Sequence, residues 1–236
     1  MTTKIRLVIV GIEGNVNLGF IARLAMNFSV DEVYLVSPKA SPYSDEAQRY
    51  AARAKEVLKR LIIVEKLEDA LKDVELSVCT TAKTGYKTDV LRNVMSLEDA
   101  LQLILSYRSI SIVFGRESVG LTREELSKCD IIITIPANPE YPTLNLSHAV
   151  AIVLYRLWIA KNKATRIYET ASAEQLNRVK SLARSIAELV TDPNRREQAV
   201  IAITRCIAKA RLTTSEASAL YHLFKKVYVL LKRSLS

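Results

Sequence analysis

The chain has 236 residues, of which 49% are hydrophobic and 25% charged, with a formal net charge of +9. That is enough apolar material for one medium domain plus an appendage. With no run of about eighteen uncharged apolar residues and no signal-peptide profile, disordered, fibrous, membrane-spanning and secreted classes are excluded, and a cytoplasmic protein is expected.

In chain order, short β-branched runs at residues 5–10, 33–36, 61–64, 76–80, 110–114 and 131–135 alternate with helical stretches. This is the pattern of an α/β domain with a mostly parallel sheet, and strands apolar at nearly every position are expected to be buried on both faces. The helix after the first run carries Phe20, Leu24 and Phe28 at spacing four, read as its buried stripe, with Arg23 at the edge on the side of Gly19. An apolar helix over residues 144–159 closes the unit. The expected division is an α/β unit over 1–162, a polar linker over 163–170 and a small all-helical tail over 171–236.

Three helices are expected in the tail. The first aligns Leu176, Val179, Leu182, Ile186 and Leu189; the second follows the Asp192-Pro193-Asn194 break and uses Val200, Ile203 and Ile207. Thr213 with Glu216 three residues on forms a capping box for the third, which carries Leu220, Leu223, Phe224, Val227 and Leu231. Residues 1–162 hold 20 Lys or Arg against 19 Asp or Glu, whereas residues 163–236 hold 14 against 6, so the tail carries +8 of the net charge. Such asymmetry points to a polyanion, with nucleic acid ahead of a membrane surface; a merely solvated helical face is the plainer alternative.

Cys79, Cys129 and Cys206 are widely spaced in apolar neighbourhoods, which gives no disulfide framework and no metal pair, and reads as buried thiols. His148 and His222 are too few for a histidine metal site or a Ser-His-Asp triad, and no metal is expected. His148 reads as a packing or interface residue, as do Tyr155 and Trp158.

Ligands of a doubly wound sheet collect beyond the carboxyl ends of its strands, so the turns after the apolar runs are the places to search. The first, with Gly11, Gly14, Asn15, Asn17 and Gly19, offers backbone amides and amide side chains before a helix, but fits neither a dinucleotide fingerprint nor a P-loop. After Phe114, Gly115 and Gly120 bracket Glu117, and Thr122 with Glu125 marks a helix start. A proline-rich stretch over 135–147 is too long for an idle turn and reads as a rigid ligand-facing loop.

Taken together, Asn17-Leu-Gly19-Phe-Ile-Ala22-Arg23, Gly115-Arg-Glu117-Ser-Val-Gly120-Leu121, and Ile135-Pro136 followed by Asn138 through Ala149 resemble the three motifs of the TrmH-like branch of the SPOUT RNA methyltransferases, in the arrangement of the TrmJ subgroup. The resemblance covers about residues 5–160; Ser29 stands where family helices usually carry glycine. It implies a Rossmann-like parallel sheet with a deep trefoil knot, and a homodimer in which the arginine of one subunit works beside the S-adenosylmethionine held by the other. Thr81, Ala82, Gly115, Arg116, Glu117, Gly120, Ile135, Thr143, Leu144 and Asn145 are thereby implied to enclose the cofactor, and Arg23 to face the substrate ribose.

The implied reaction is methylation of a tRNA ribose 2′-hydroxyl, at nucleotide 32 of the anticodon loop, on cytidine or uridine. A guanidinium rarely gives up its own proton, so Arg23 is read as stabilising the developing alkoxide and clamping a neighbouring phosphate, with Asn17, Glu117 and Asn145 orienting the hydroxyl and the arginine. Arg178, Lys180, Arg184, Arg195, Arg196, Arg205, Lys209, Arg211, Lys225 and Lys226 of the tail are read as phosphate contacts, with Lys83, Lys87 and Arg92 doing the same near the site. A ribosomal RNA substrate, a non-catalytic RNA-binding module and, remotely, a nicotinamide-dependent oxidoreductase are the other readings.

Overall fold

A computed structural model describes residues 3–82, 94–161 and 170–234. Its centre is a seven-stranded sheet built from β1 (Lys4–Val10), β2 (Glu32–Val36), β3 (Ile62–Val64), β4 (Leu76–Thr80), β5 (Met95–Ser96), β6 (Ser109–Phe114) and β7 (Ile131–Thr134). The strands lie in the order β3-β2-β1-β6-β4-β7-β5 and every pairing is parallel. The last strand, β7, thus enters between two strands laid down before it.

The period-two geometry of a strand sends alternate side chains to opposite faces, and both faces are apolar here. Leu7 and Ile9 join one buried cluster, while Val8 and Val10 join the other, which is why β1 reads as a continuous hydrophobic run. The expectation of burial on both faces fails for β3: it is the edge strand, and Ile62 and Ile63 are exposed. The two-residue β5 is too short to leave a periodic signal.

Around the sheet pack α1 (Asn15–Asn27), α2 (Asp45–Ala51), α3 (Lys55–Lys59), α4 (Leu67–Ala70), α5 (Leu97–Ile104), α6 (Arg123–Ser127) and α7 (Leu146–Lys161). On α1 the buried residues are Leu18, Gly19, Ile21, Ala22 and Ala25, and the Phe20, Leu24, Phe28 stripe is only half-buried. The small residues win because α2 lies close: a Cβ on Gly19 would come within 2.7 Å of the Tyr50 Cβ and 2.8 Å of the Ala47 carbonyl. Phe20 instead packs edge-on against Tyr50, and Phe28 against Tyr155 of α7.

The tail forms α8 (Ala173–Val190), α9 (Arg196–Lys209) and α10 (Thr214–Ser234). Ser172 and Gln175 close a capping box on α8, and Thr213 and Glu216 close the expected one on α10. Leu176, Val179, Ile207 and Ala208 belong to the same buried cluster as the sheet residues, so one continuous core runs from sheet to tail. Leu223, read as a core position, is exposed on α10. The Tyr107 hydroxyl donates to the Ala208 carbonyl, and the Arg108 guanidinium to the Thr170 carbonyl.

The cysteines also correct the sequence reading. Cys79 at the end of β4 is disulfide-bonded to Cys129 in the turn before β7, and Cys206 is exposed. The two partners are 50 residues apart and meet because β7 lies beside β4.

Candidate functional site

The carboxyl ends of β4, β6 and β7 open onto a cavity of about 490 Å³. Its walls are the loop after β6, the α6 helix, the end of β4 and the proline-rich stretch before α7. Thr81, Ala82, Gly115, Arg116, Glu117, Gly120, Ile135, Thr143 and Leu144 all line it. Asn145 does not: it precedes α7, and its side-chain oxygen accepts from the Ser147 amide at 2.9 Å and hydroxyl at 2.7 Å. Thr80, Val94 and Leu126 also line the cavity, outside the motifs that the sequence offers. The position of Thr80 at a strand end could have signalled it, whereas Val94 and Leu126 arrive only through the tertiary fold.

The loop after β6 is folded tightly. Arg116 and Gly120 exchange both backbone hydrogen bonds, at 3.2 and 3.0 Å, and Gly120 has a φ of +73° that favours glycine. Gly115 has no room for a side chain, since a Cβ would lie 2.1 Å from the Gly120 carbonyl carbon. The two ends of the loop therefore abut backbone to backbone, and residues 115–121 all line the cavity.

Glu117 is held by the first turn of α1. Its carboxylate accepts from the Glu13 amide at 2.9 Å, the Gly14 amide at 3.1 Å and the Asn17 side chain at 3.0 Å. The amides that suggest a ligand cradle in the sequence thus hold an internal carboxylate, as the start of a helix suits an anion. Glu13 turns outward to Lys39 and the Ser118 amide, and both bonds lower its pKa.

Arg116 lines the cavity while its guanidinium grips both oxygens of Glu125, at 3.0 and 2.9 Å. Burial pushes the Glu125 carboxyl up, but Arg116 and Thr122 outweigh it and hold the group below its ordinary value. Thr122 and Glu125 close the capping box that starts α6.

Arg23 lies on the exposed face of α1, outside the cavity lining. On the same helix Met26 is 58% exposed, and Tyr155 of the adjoining α7 is 51% exposed. His148 is exposed at the start of α7. Lys83, Lys87 and Arg92 lie outside the described residues.

In the tail, Arg178 pairs with Glu174, and Arg184, Arg195 and Arg196 are exposed. Two further cations read as phosphate contacts face inward instead. Lys180 pairs with the largely buried Asp130, and Arg205, 5% exposed, donates to the Leu126 carbonyl at 3.3 Å. Among the described residues no group of three or more His, Cys, Asp or Glu could hold a metal ion, and no helix is long and apolar enough to cross a membrane.

Residues 4–155 match the model of the SpoU rRNA Methylase family. A tRNA (cytidine-2′-O-)-methyltransferase TrmJ of Sulfolobus acidocaldarius is 39% identical over 230 residues, covering 97% of this chain and 95% of that protein. The protein of the same description from Methanocaldococcus jannaschii is 31% identical, covering 95% and 100%. Among solved structures, TrmJ from Z. mobilis ZM4 superposes with a TM-score of 0.73 at 24% identity, covering 96% of this chain and 99% of that one. An AdoMet-bound rRNA methyltransferase from Sinorhizobium meliloti shares the fold with a TM-score of 0.54 at 19% identity, covering 70% and 58%. A family match across 152 residues and a close relative along nearly the whole chain make the assignment: this chain belongs to the SpoU rRNA methylase family.

Proposed function

We propose that the chain transfers the methyl group of S-adenosylmethionine to the ribose 2′-hydroxyl of nucleotide 32 in the tRNA anticodon loop, acting in the cytoplasm as a homodimer. The observation that carries the reading is the cavity at the ends of β4, β6 and β7, which gathers the second and third sequence motifs and the end of β4 on one wall system. Its lining suits the donor: Ile135, Leu144, Leu126 and Val94 offer apolar sides for a flat purine, and Thr81 with the tight backbone of residues 115–120 offers polar groups to a ribose and an amino acid. A bound donor supplies an electrophilic sulfonium methyl, so the protein has chiefly to position the acceptor and manage its charge.

Glu117, fixed by three donors, sets the distance between α1 and the cavity wall. Arg23 follows on that helix, and its permanent positive charge suits a developing alkoxide and the neighbouring phosphate. Asn17 and Asn145 complete the set that orients the hydroxyl and the arginine. Because Arg23 is exposed and shares its helix with the exposed Met26, beside Tyr155 of α7, the apolar face there supports docking of a second copy that carries Arg23 to the partner's cavity.

The tRNA substrate is supported by the two curated relatives, both described as tRNA (cytidine-2′-O-)-methyltransferases. The tail is the proposed RNA-holding unit, through its outward cations Arg178, Arg184, Arg195 and Arg196, with Lys83, Lys87 and Arg92 as further phosphate contacts. Because tail and sheet share a core, removing the tail would uncover apolar surface; charge-reversing changes on its outer face are the cleaner probe. A ribosomal RNA substrate is the second reading, favoured by the family's description. Transfer of labelled methyl groups into bulk tRNA, ribosomal RNA and transcripts altered at nucleotide 32 separates them. The proposal expects incorporation into tRNA that vanishes when nucleotide 32 is deleted; labelling of ribosomal RNA alone would refute it.

A further inference from the structure

We propose that Arg205, on α9, is a positioning residue for the methyl donor: by holding the Leu126 carbonyl it fixes α6, a wall of the cavity, against the turn that leads into β7. The C-terminal unit would then set donor affinity as well as hold RNA. The inference rests on the reading of this cavity as the donor site.

The segment from Glu125 to Asp130, the end of α6 and the turn before β7, is a junction of four ties. Arg116 and Glu125 join it to the loop after β6, and the Cys79–Cys129 bond joins it to the end of β4 just before the cavity residues Thr80 and Thr81. The other two ties come from the tail. Arg205 reaches the carbonyl of Leu126, itself a cavity residue, and Lys180 pairs with Asp130, whose carboxylate also accepts from the Ser77 amide at 2.9 Å and hydroxyl at 2.8 Å. Arg205 is 5% exposed, and loss of its charge-assisted bond weakens the hold on a helix end whose Leu126 carbonyl otherwise accepts from the Cys129 amide at 3.4 Å. Lys180 and Arg205 come from two different helices, so the whole α8 and α9 pair bears on the turn.

The test compares wild type, Arg205→Met, Arg205→Lys and Lys180→Met, each full-length and checked by circular dichroism. Binding of S-adenosylhomocysteine is measured by calorimetry, tRNA binding by filter retention, and turnover by steady-state kinetics. Arg205→Met is expected to weaken S-adenosylhomocysteine and raise the donor KM by about fivefold or more, with kcat and tRNA affinity within about twofold, and Arg205→Lys to recover most of the loss. If Arg205→Met does not fold, Lys180→Met carries the same expectation on a less buried tie. Unchanged donor affinity in a folded Arg205→Met, or a loss confined to tRNA binding, overturns the inference while leaving the donor site intact. Failure of wild type itself to bind S-adenosylhomocysteine overturns the donor reading and this inference together.

Discussion

The Asn17 side chain donates to Glu117 at 3.0 Å, joining α1 to the loop after β6 across 100 residues of sequence. With the Glu13 and Gly14 amides, it gives one carboxylate three donors, each charge-assisted bond contributing about 1.5–3 kcal/mol. Glu117→Gln removes the charge and turns an amide NH2 toward those donors. The expected result is a fall in single-turnover rate of about tenfold to a hundredfold with tRNA affinity little changed, because the helix that carries Arg23 loses its register on the cavity.

Two glycines should separate stability from site geometry. Gly19→Ala drives a methyl into Tyr50, Ala47 and Ala51 and forces α1 from α2, an overpacking cost of about 1–3 kcal/mol. Its thermal midpoint should fall while the folded fraction still binds donor. Gly115→Ala meets backbone at 2.1 Å from Gly120 and must reopen the loop, so donor affinity measured by calorimetry should be lost even where folding survives.

Arg23→Lys keeps the charge but not the planar fork of donors. Since Arg23 is exposed and outside the cavity lining, folding and donor affinity should stay at wild-type values. Turnover should drop by about a hundredfold or more, the scale of losing one transition-state charge donor. Near-full turnover with normal tRNA binding would remove Arg23 from the mechanism.

The Arg116–Glu125 pair has a pH signature. Glu125 is held below its ordinary value of 4.5, so its contribution to stability is present above that value and disappears as pH falls through the lower folded-state value. The difference in thermal midpoint between wild type and Glu125→Gln should be constant from about pH 8 to pH 5.5 and shrink below about pH 4. Other depressed carboxylates, among them Glu68 and Asp69, act alike in both proteins and cancel in the difference.

The sheet was legible because β1, β4 and β6 are buried on both faces and announce themselves as unbroken apolar runs. β3 misled for the same reason: its isoleucines are apolar yet lie on an edge. The α1 stripe was misread because large residues at spacing four outweigh glycine and alanine in a hydrophobic pattern, whereas close helix packing selects the small ones. The cavity wall was legible through the glycines and prolines that its loops require. Arg205 and Lys180 read as phosphate contacts in the sequence because charge there carries no direction; only the fold turns them toward Leu126 and Asp130. The Cys79–Cys129 bond was invisible for a related reason, since its partners meet only once β7 is threaded beside β4.

The most direct test of the central claim is methyl transfer into two otherwise identical tRNAs, one with ribose and one with 2′-deoxyribose at nucleotide 32. The account predicts a 2′-O-methylated nucleoside from the first and no incorporation into the second. Equal labelling of both, which would put the methyl on a base or at another nucleotide, would contradict it.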